Sequence, residues 1–403
     1  MKRLAITRIA LEKKDHIAYI VLDENRNFID FQLFEPENSS CLEQIYVGRV
    51  DRVMENIQAA FVTIGNGRKC YLPLEESSHL IYTKKNSSGQ KLCGGDEILI
   101  QIVKDAVKTK DAVCSASLSL AGSYCVLTTK NQSLSVSRKL PEEKRTALEV
   151  LLQELCPEHQ EEGYGVVIRT NGASVDEQVL RQDILDIRRQ FLELKNQSVH
   201  LKPPCMIYEN PPGYVRRLQS ANMQEYDYVI TDCQDIFNAI QKILPHLVTL
   251  DKIKFHQDDA VSLSTLYNIR WNLSQLLSNK VWLPSGANII IESLETLTVI
   301  YVNSGKNQSR KKDTLFQVNL EAAKEIARQL RLRNISGMII VDFINLSDEE
   351  SKQKLIHTMK RLIKEDPVPC NFIDITKLGL MELTRKKTHK SLIEIVFLGL
   401  EIL

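Results

Sequence analysis

The segment Asn319–Asn345 constrains the fold more than any other part of the chain. Small and apolar residues recur at helical spacing on one face of its first half: Leu320, Ala323, Ala327 and Leu330. Gly337 then separates this predicted helix from Met338–Ile344, a run that is apolar except for Asp342. A helix followed at once by a buried strand is typical of layered α/β domains. We therefore expect an α/β domain in the last third of the chain.

Asp342 is the residue of this run that demands an explanation. A carboxylate within a buried strand is costly unless it is paired, hydrogen-bonded or bound to a metal ion. Two interpretations follow from the residues alone. Asp342 is either a structural carboxylate satisfied by neighbours, which is the commoner case, or part of a catalytic site.

Charge gives no global indication of a partner. The 403 residues suggest two to four domains, and 52 Lys and Arg against 51 Asp and Glu leave a net charge of +1. Any affinity for nucleic acid must therefore come from local basic clusters. Each of the two clusters either contacts phosphates or forms a solvated loop: Lys306, Arg310, Lys311 and Lys312; Arg385, Lys386, Lys387 and Lys390.

The cysteines and the termini bear on compartment and membrane association. The nine cysteines lie at least eleven residues apart, so the chain has no Cys-x-x-Cys zinc motif. Their odd number fits reduced, mostly buried thiols in a reducing cytoplasm. Neither a signal peptide nor a membrane span is expected. The apolar tail 392–403 contains Glu394 and Glu401, which favours a packed terminal element.

Hydrophobic periodicity predicts the order of elements. Alternating strands are expected over 1–35, with a hairpin turn at 24–27, and short strands with glycine corners over 43–103 favour a small barrel. Two more strands are expected within 115–140, and alternating strands and helices over 205–275. Further helices are expected at 141–156, 174–195, 319–333 and 349–364. The remaining strands are expected at 166–168, 281–302, 338–344 and 372–375.

Taken together, these motifs resemble the ribonuclease E/G family. The most specific is the sequence NLEAAKEIARQLRLR, followed by a glycine and an apolar strand ending in DFI. The resemblance covers about residues 1–395. Further matching segments are Leu283–Gly286, Ile289–Glu292, Leu378–Lys386, Ile45–Val50, Phe61–Gly65, Ser119–Tyr124 and Val167–Thr170.

The resemblance implies an α/β multidomain fold. A split RNase-H-like scaffold would occupy 1–38 and 205–278, with an OB-fold RNA-binding domain at 39–118 and a 5′-end sensor region at 119–204 inserted between. A DNase-I-like α/β catalytic subdomain would follow at 279–403. The implied activity is Mg²⁺-dependent endonucleolytic cleavage of single-stranded RNA in the cytoplasm, in rRNA processing, other RNA processing or mRNA decay.

RNA-binding residues follow from the matching positions. Phe61 and Tyr71 would stack on bases, while Lys104 and Lys110 would neutralise phosphates. For Phe61 the alternative is a place in the barrel core. The implied 5′-phosphate sensor needs backbone N–H groups, a guanidinium and a hydroxyl. It comprises Gly122, Val126, Arg169, Thr170 and Lys377.

For two of the sensor positions, the residue type itself offers an alternative or a departure from the family. Arg169 has a surface salt bridge as its structural alternative. Lys377 stands where the family commonly has arginine, and lysine lacks the bidentate fork that grips a phosphate.

The catalytic site departs from the family pattern. The family holds Mg²⁺ with two aspartates and an asparagine, which here correspond to Tyr301, Asp342 and Asn303. A phenol is a poor Mg²⁺ ligand, because Mg²⁺ prefers hard and usually anionic oxygen. Asn345 also replaces a frequent aspartate. The metal ligands expected are therefore Asp342 and Asn303 alone.

Three hypotheses remain open at this point. The chain is an active endoribonuclease, a catalytically impaired RNA-binding member of the family, or an RNA-binding scaffold that works through the barrel. The family's zinc-binding Cys-x-x-Cys link should follow the Arg385 region but does not, so we expect no structural zinc. Any homo-oligomer would then form without that link.

Overall fold

The computed structural model describes ten stretches of the chain: residues 1–11, 14–36, 41–65, 67–76, 79–86, 89, 91–106, 110–258, 260–305 and 312–397. The chain divides into two compact units. Unit 1 combines Met1–Pro36 with Met223–Leu403, and unit 2 is the inserted segment Glu37–Asn222. Each unit contains its own sheets and cores.

Three antiparallel strands open unit 1: β1 (Lys2–Leu11), β2 (Lys14–Leu22) and β3 (Phe28–Phe34). The predicted turn at 24–27 is confirmed. Asp23 N–H donates to the Asn27 carbonyl at 3.0 Å, and Arg26 takes a positive φ of 64°. The expected strands of the first 35 residues are thus present.

Unit 2 begins with a closed barrel. Its sheet contains β4 (Ile45–Met54), β5 (Ala59–Gly65), β6 (Arg68–Pro73), β7 (Tyr82–Lys84), β8 (Glu97–Lys104) and β9 (Ala112–Ser115). Strands β4, β5, β6, β9 and β8 pair in that order, and β4 also pairs with β8, which closes five strands into a barrel. At Gly48 a Cβ would lie 2.5 Å from Val62 Cγ1, so this close strand approach requires glycine. The predicted small barrel is confirmed, while its classification as an OB fold stays a prediction.

A four-stranded sheet, two longer helices and one short helix follow the barrel. The strands are β10 (Ser119–Ala121), β11 (Cys125–Thr128), β12 (Ser135–Val136) and β13 (Gly165–Ile168). The helices are α1 (Glu142–Leu155), α2 (His159–Glu162) and α3 (Glu177–Ser198). The apolar faces of α1 and α3 join these strands in one core. The expected helices are present, and α3 begins three residues later than predicted because the Asp176 side chain caps it by accepting from Gln178 N–H.

The chain then returns to the barrel sheet before it leaves unit 2. Strand β14 (Cys205–Tyr208) pairs antiparallel with β4, and α4 (Gly213–Gln219) follows. The segment predicted to resume the scaffold at 205 therefore starts with a strand of unit 2. Unit 1 resumes at Met223.

The second part of unit 1 completes the sheet begun by β1–β3. Strand β15 (Tyr226–Thr231) pairs in parallel with β1, and β16 (Ile253–Phe255) pairs in parallel with β15. The sheet thus joins strands from two separated segments, as a split scaffold requires, although its RNase-H-like identity stays a prediction. Four helices accompany these strands: α5 (Gln234–Ile243), α6 (Pro245–Thr249), α7 (Leu263–Leu266) and α8 (Ile269–Leu277).

The last third of the chain is the expected α/β layer. Its six strands, in spatial order, are β17 (Lys280–Trp282), β18 (Asn288–Ser293), β19 (Leu297–Asn303), β20 (Gly337–Asp342), β22 (Met381–Arg385) and β21 (Cys370–Ile375). Helices α9 (Lys312–Leu332) and α10 (Glu349–Lys364) pack on one face of this sheet. The DNase-I-like classification stays a prediction.

The C-terminal tail is packed where it is described. Helix α11 (Leu392–Phe397) buries Leu392 and Val396 in the core beneath β1–β3. Among the described residues, no helix combines the length and hydropathy needed to cross a membrane. All nine cysteines are free, four buried and five half-buried, so the expectation of mostly buried thiols is only partly met.

Candidate functional site

The register of the C-terminal sheet brings the predicted catalytic residues together. Strands β19 and β20 run in parallel with Tyr301 directly beside Asp342, and Asn303 lies two residues further along β19. Buried residues alternate with these positions on β19, so Tyr301 and Asn303 share the face opposite to the helices. Tyr301 is 46% exposed and Asp342 is half-buried. Tyr301, the position predicted to depart from the family pattern, is therefore a direct neighbour of Asp342.

A fully buried asparagine fixes the backbone that follows Asp342. Asn319 Nδ2 donates to the Ile344 carbonyl at 2.7 Å, and its Oδ1 accepts from the Ile344 N–H at 3.0 Å. These two bonds connect α9 to the end of β20. On the neighbouring strand, Asn303 Oδ1 accepts from Gly305 N–H at 3.0 Å. The strand ends at the site are thus held by side chains within unit 1.

The donor set does not match the Mg²⁺ site that the resemblance implies. Such a site prefers anionic oxygens in near-octahedral geometry. In this row Asp342 is the one carboxylate, Asn303 offers a neutral amide, and Tyr301 offers a phenol. Within the described ranges, no group of three His, Cys, Asp or Glu side chains is arranged to hold a metal ion. The residues present do not fit a metal site built on two carboxylates.

The outer face of the barrel carries the predicted stacking pair. Phe61 and Tyr71 are opposite each other on β5 and β6, with ring centroids 6.0 Å apart at 79°. Both are half-buried, whereas Ala60, Val62, Cys70 and Leu72 beside them are fully buried. Phe61 is therefore not a core residue, and that alternative is wrong.

A guanidinium extends this aromatic pair. The Arg52 guanidinium carbon lies 5.1 Å from the Phe61 ring centroid, and Arg52 is opposite Phe61 on β4. Lys104 is exposed at the end of β8, opposite Val113, which pairs with Tyr71 in turn. One row of the barrel thus connects a cation, two aromatic rings and a second cation, a combination suited to stacked bases and phosphates. Lys110 is also exposed, three residues before Val113.

Four predicted sensor residues lie close together in unit 2. Val126 pairs with Val167, and Arg169 N–H donates to the Tyr124 carbonyl at 2.8 Å as the chain leaves β13. Thr170 Oγ1 lies 2.8 Å from Ser137 Oγ. In the described part of the chain, the Arg169 guanidinium makes no ion pair or hydrogen bond. The surface salt bridge, which was the structural alternative to a phosphate-binding role for Arg169, is not observed among the described residues.

The loop around Gly122 is wrapped on one carboxylate. Asp183 of α3 accepts the backbone N–H groups of Ser123, Tyr124 and Cys125 at 2.9, 2.8 and 3.2 Å. Burial raises the pKa of the Cys125 thiol well above its ordinary value, and the Asp183 charge adds to this, so the thiol is protonated and donates to Asp183. These three backbone N–H groups therefore already have an acceptor within the protein.

Lys377 belongs to unit 1, unlike the other four sensor residues. It is exposed in the turn between β21 and β22. Two residues further along this turn, a Cβ on Gly379 would lie 3.8 Å from Asn345 Oδ1. Its role as a sensor residue stays a prediction.

One predicted RNA contact is wrong. Arg385 is 4% exposed, and its guanidinium forms an ion pair with Asp366, with Nε donating at 2.9 Å and Nη2 at 3.1 Å. It also donates to Asn334 and the Ile335 carbonyl. Arg385 sits on an inward-facing position of β22, so its charge neutralises a buried aspartate. Lys386, Lys387 and Lys390 are exposed, while 306–311 and the Lys312 side chain lie outside the described residues.

Sequence reasoning missed Arg52, Asp183 and Asn319 as site residues. A β-bulge shifts the β4–β5 register between Val50 and Arg52, so alternation did not place Arg52 beside Phe61. Asp183 lies about 60 residues after the loop it holds. For Asn319 a signal existed, because an amide on the apolar side of a predicted helix calls for a buried partner.

Comparison with known proteins decides the family. A model of the ribonuclease E/G family matches residues 119–388, about two thirds of the chain. The chain belongs to the ribonuclease E/G family. The resemblance inferred from the sequence is thereby confirmed, and the matched range of this family contains Arg169, Tyr301 and Asp342.

Individual relatives agree with this assignment. The chain is 29% identical to ribonuclease E of Escherichia coli over 97% of its length and 37% of the relative. It is 30% identical to ribonuclease E of Synechocystis over 90% of its length and 55% of that protein. Ribonuclease G of Escherichia coli is 28% identical, with 86% of this chain and 73% of the relative covered. The chain thus spans about half or less of the length of these ribonuclease E relatives.

Proposed function

We propose that this protein binds single-stranded RNA and acts as an endoribonuclease whose cleavage rate is strongly reduced. The observation that carries the RNA-binding part is the row Arg52, Phe61, Tyr71 and Lys104 on the barrel. Family membership supports the reaction, hydrolysis of a phosphodiester within the strand. Processing or decay of RNA in the cytoplasm is the proposed setting, and single-stranded RNA the proposed partner.

The reduced rate follows from the pairing of Tyr301 with Asp342. In the proposed site, Asp342 and Asn303 would be the ligands of any Mg²⁺, which would supply charge to the phosphate and activate water. Tyr301 adds no negative charge, and it occupies the neighbouring position on the same face. Loss of one charged group acting on a transition state costs on the order of 10²–10⁴-fold in rate. A catalytically impaired RNA-binding protein is the limiting case of this proposal.

A cleavage assay with two variants tests the catalytic part. The substrate is a 5′-monophosphorylated, AU-rich single strand with Mg²⁺, and the proteins are the natural chain, Tyr301→Asp and Tyr301→Asn. We expect Tyr301→Asp to cut about 10²–10⁴-fold faster than the natural chain. Tyr301→Asn also removes the phenol but adds no charge, so it should not gain. Equal gains in both variants would show that steric relief, not charge, limits the rate.

Asp342→Ala provides the complementary measurement. If it leaves the cleavage of the Tyr301→Asp variant unchanged, Asp342 is not the catalytic carboxylate. If neither the natural chain nor Tyr301→Asp cuts, one added carboxylate does not restore cleavage, and the catalytically impaired alternative is supported. The impaired alternative still predicts binding, so fluorescence anisotropy of a labelled strand is measured in parallel.

A separate measurement addresses the barrel. Phe61→Ala should lower affinity for single-stranded RNA about 5- to 100-fold, because a base stacked on an aromatic contributes about 1–3 kcal/mol. Phe61→Tyr keeps the ring and should bind nearly as well. Unchanged binding by Phe61→Ala would place the RNA elsewhere on the protein.

We also propose that Arg169 and Thr170, with Gly122 and Val126 as the pocket wall, recognise a 5′-monophosphate. The Arg169 guanidinium, which has no ion pair or hydrogen bond among the described residues, supports this role. Arg169→Ala should reduce the preference for 5′-monophosphate over 5′-hydroxyl RNA. Arg145→Ala removes an equally charged side chain that is paired with Glu149 on α1, and should not. A preference that survives Arg169→Ala contradicts the sensor.

A further inference from the structure

The chain has two tryptophans, and both are unusually exposed. Trp282 of β17 is 63% exposed and Trp271 of α8 is 64% exposed. Their surroundings differ, however. The Lys280 ammonium lies 4.1 Å from the centroid of the Trp282 ring, whereas no cation covers the Trp271 ring among the described residues. Trp282 therefore combines a large accessible aromatic surface with an adjacent positive charge.

Sheet register relates Trp282 to β20, the strand that carries Asp342. Lys280 pairs with Ile290, which pairs with Tyr301, which lies beside Asp342. Residues directly opposite each other share a face of the sheet, and so do residues two apart on one strand. Trp282 and Lys280 thus lie on the same face as Asp342. At about 4.8 Å between strands, Lys280 is roughly 14 Å from Asp342.

A buried carboxamide oxygen to which no described group donates lies next to Trp282. Asn288 is the residue opposite Trp282 on β18 and is opposite Asn303 on its other side. It is 3% exposed, and its carboxamide Oδ1 accepts no hydrogen bond from any described group. An unpaired buried acceptor is destabilising, so it calls for an explanation such as a bound water, an ion or a functional role. The missing partner must be an N–H or O–H donor.

We propose that Trp282, Lys280 and Asn288 form a nucleobase-binding site on the catalytic sheet, separate from the barrel. The Trp282 ring stacks on a base, Lys280 neutralises a flanking phosphate, and Asn288 Oδ1 accepts a base N–H. All four bases carry an amino or imino N–H, so this acceptor does not select among them. The site rests on the proposed RNA-binding function and would hold nucleotides that flank the phosphodiester beside Asp342.

The two tryptophans allow a direct test by fluorescence. In Trp271→Phe the sole tryptophan is Trp282, and in Trp282→Phe the sole tryptophan is Trp271. The probe is a 2′-O-methyl single strand with a 5′-hydroxyl, which carries no sensor ligand; it is measured with EDTA and without Mg²⁺ to prevent metal-dependent cleavage. Stacking of a base quenches indole emission. We expect the strand to quench Trp271→Phe and to leave the emission of Trp282→Phe unchanged.

Affinity measurements separate stacking from charge. Trp282→Ala should weaken binding about 5- to 100-fold, and Trp282→Phe should recover most of the loss because it keeps a ring. Lys280→Gln should lower the slope of log affinity against log salt by about 0.7, as expected for one phosphate on a single strand. Trp271→Ala, the matched control, should bind like the natural chain. Circular dichroism spectra verify that each variant is folded.

The outcomes distinguish this inference from the proposed function. If the labelled strand binds by anisotropy but Trp282 emission does not change, the second base site is absent and the RNA-binding function stands. Equal quenching of both tryptophans would show adventitious contact and also overturn the site. If the strand binds neither the natural chain nor any variant, the RNA-binding function itself fails.

Discussion

Replacing Asp183 with alanine tests how the loop 122–125, part of the proposed 5′-phosphate sensor, is held. The Asp183 carboxylate accepts three consecutive backbone N–H groups, two of them at 2.8–2.9 Å and the third at 3.2 Å. A hydrogen bond to a charged group contributes about 1.5–3 kcal/mol net. The carboxylate is partly exposed, so we count only the two short bonds, each at the lower limit. The expected cost of Asp183→Ala is therefore about 3 kcal/mol.

Amide hydrogen exchange reports on this loop directly. Loss of about 3 kcal/mol of local protection should raise the exchange rates of the Ser123, Tyr124 and Cys125 amides about 100-fold. The same variant should lose the preference for 5′-monophosphorylated RNA, because the wall of the pocket no longer holds its shape.

The matched control lies one helical turn further along α3. Asp186 carries the same charge, but its side chain is 46% exposed and pairs with Arg189, so Asp186→Ala should change stability by less than about 0.5 kcal/mol. If Asp183→Ala leaves the exchange of the loop amides unchanged, the carboxylate does not hold the loop. If both variants accelerate exchange equally, the effect belongs to the helix charge and the proposed contact is wrong.

Three further predictions address packing and pH. Asp366→Ala leaves the Arg385 guanidinium buried without its counter-charge, and urea unfolding should show a loss of about 3–5 kcal/mol. Gly122→Ala places a Cβ 2.6 Å from a carboxylate oxygen, so the melting temperature should fall by an amount equivalent to about 1–3 kcal/mol. Burial alone would raise the pKa of the Asp96 carboxyl. Two backbone N–H groups and the Lys85 ammonium outweigh burial, so the pKa lies below its ordinary value. That stabilisation is present above pH 4 or so and is lost as the pH falls through the folded-state pKa, so Asp96→Asn should flatten the acid limb of a stability–pH profile.

Local pattern was sufficient for most elements. Helix α10 occupies 349–364 as its apolar spacing predicted, and the run 338–344 forms β20 up to Asp342. These elements bury one continuous face, and a 3.6-residue or 2-residue period records which face that is. Strand β22 was not predicted, because its alternating Met381, Leu383 and Arg385 include a charged residue that points inward.

Arg385 and Arg169 show where such reasoning fails. Both are arginines near the end of a motif, and the sequence offers no rule that separates them. In the fold, the Arg385 guanidinium donates to Asp366 at 2.9 Å in the core, whereas the Arg169 guanidinium has no hydrogen-bond or ion-pair partner among the described residues. Whether a charge is neutralised depends on which distant segment packs against it, and that information is not local.

The sequence by itself determined the family and the helix–strand unit of Asn319–Asn345, and it raised the hypothesis that Tyr301 stands at a catalytic position, because these are properties of residue type and spacing. Only the tertiary structure decided that Tyr301 lies beside Asp342, that Asp183 accepts the backbone N–H groups of the loop after Gly122, and that Trp282 shares a face of the sheet with Asp342. The physical reason is strand register: a shift of one residue moves every side chain to the opposite face, and register is set by contacts between segments far apart in the chain.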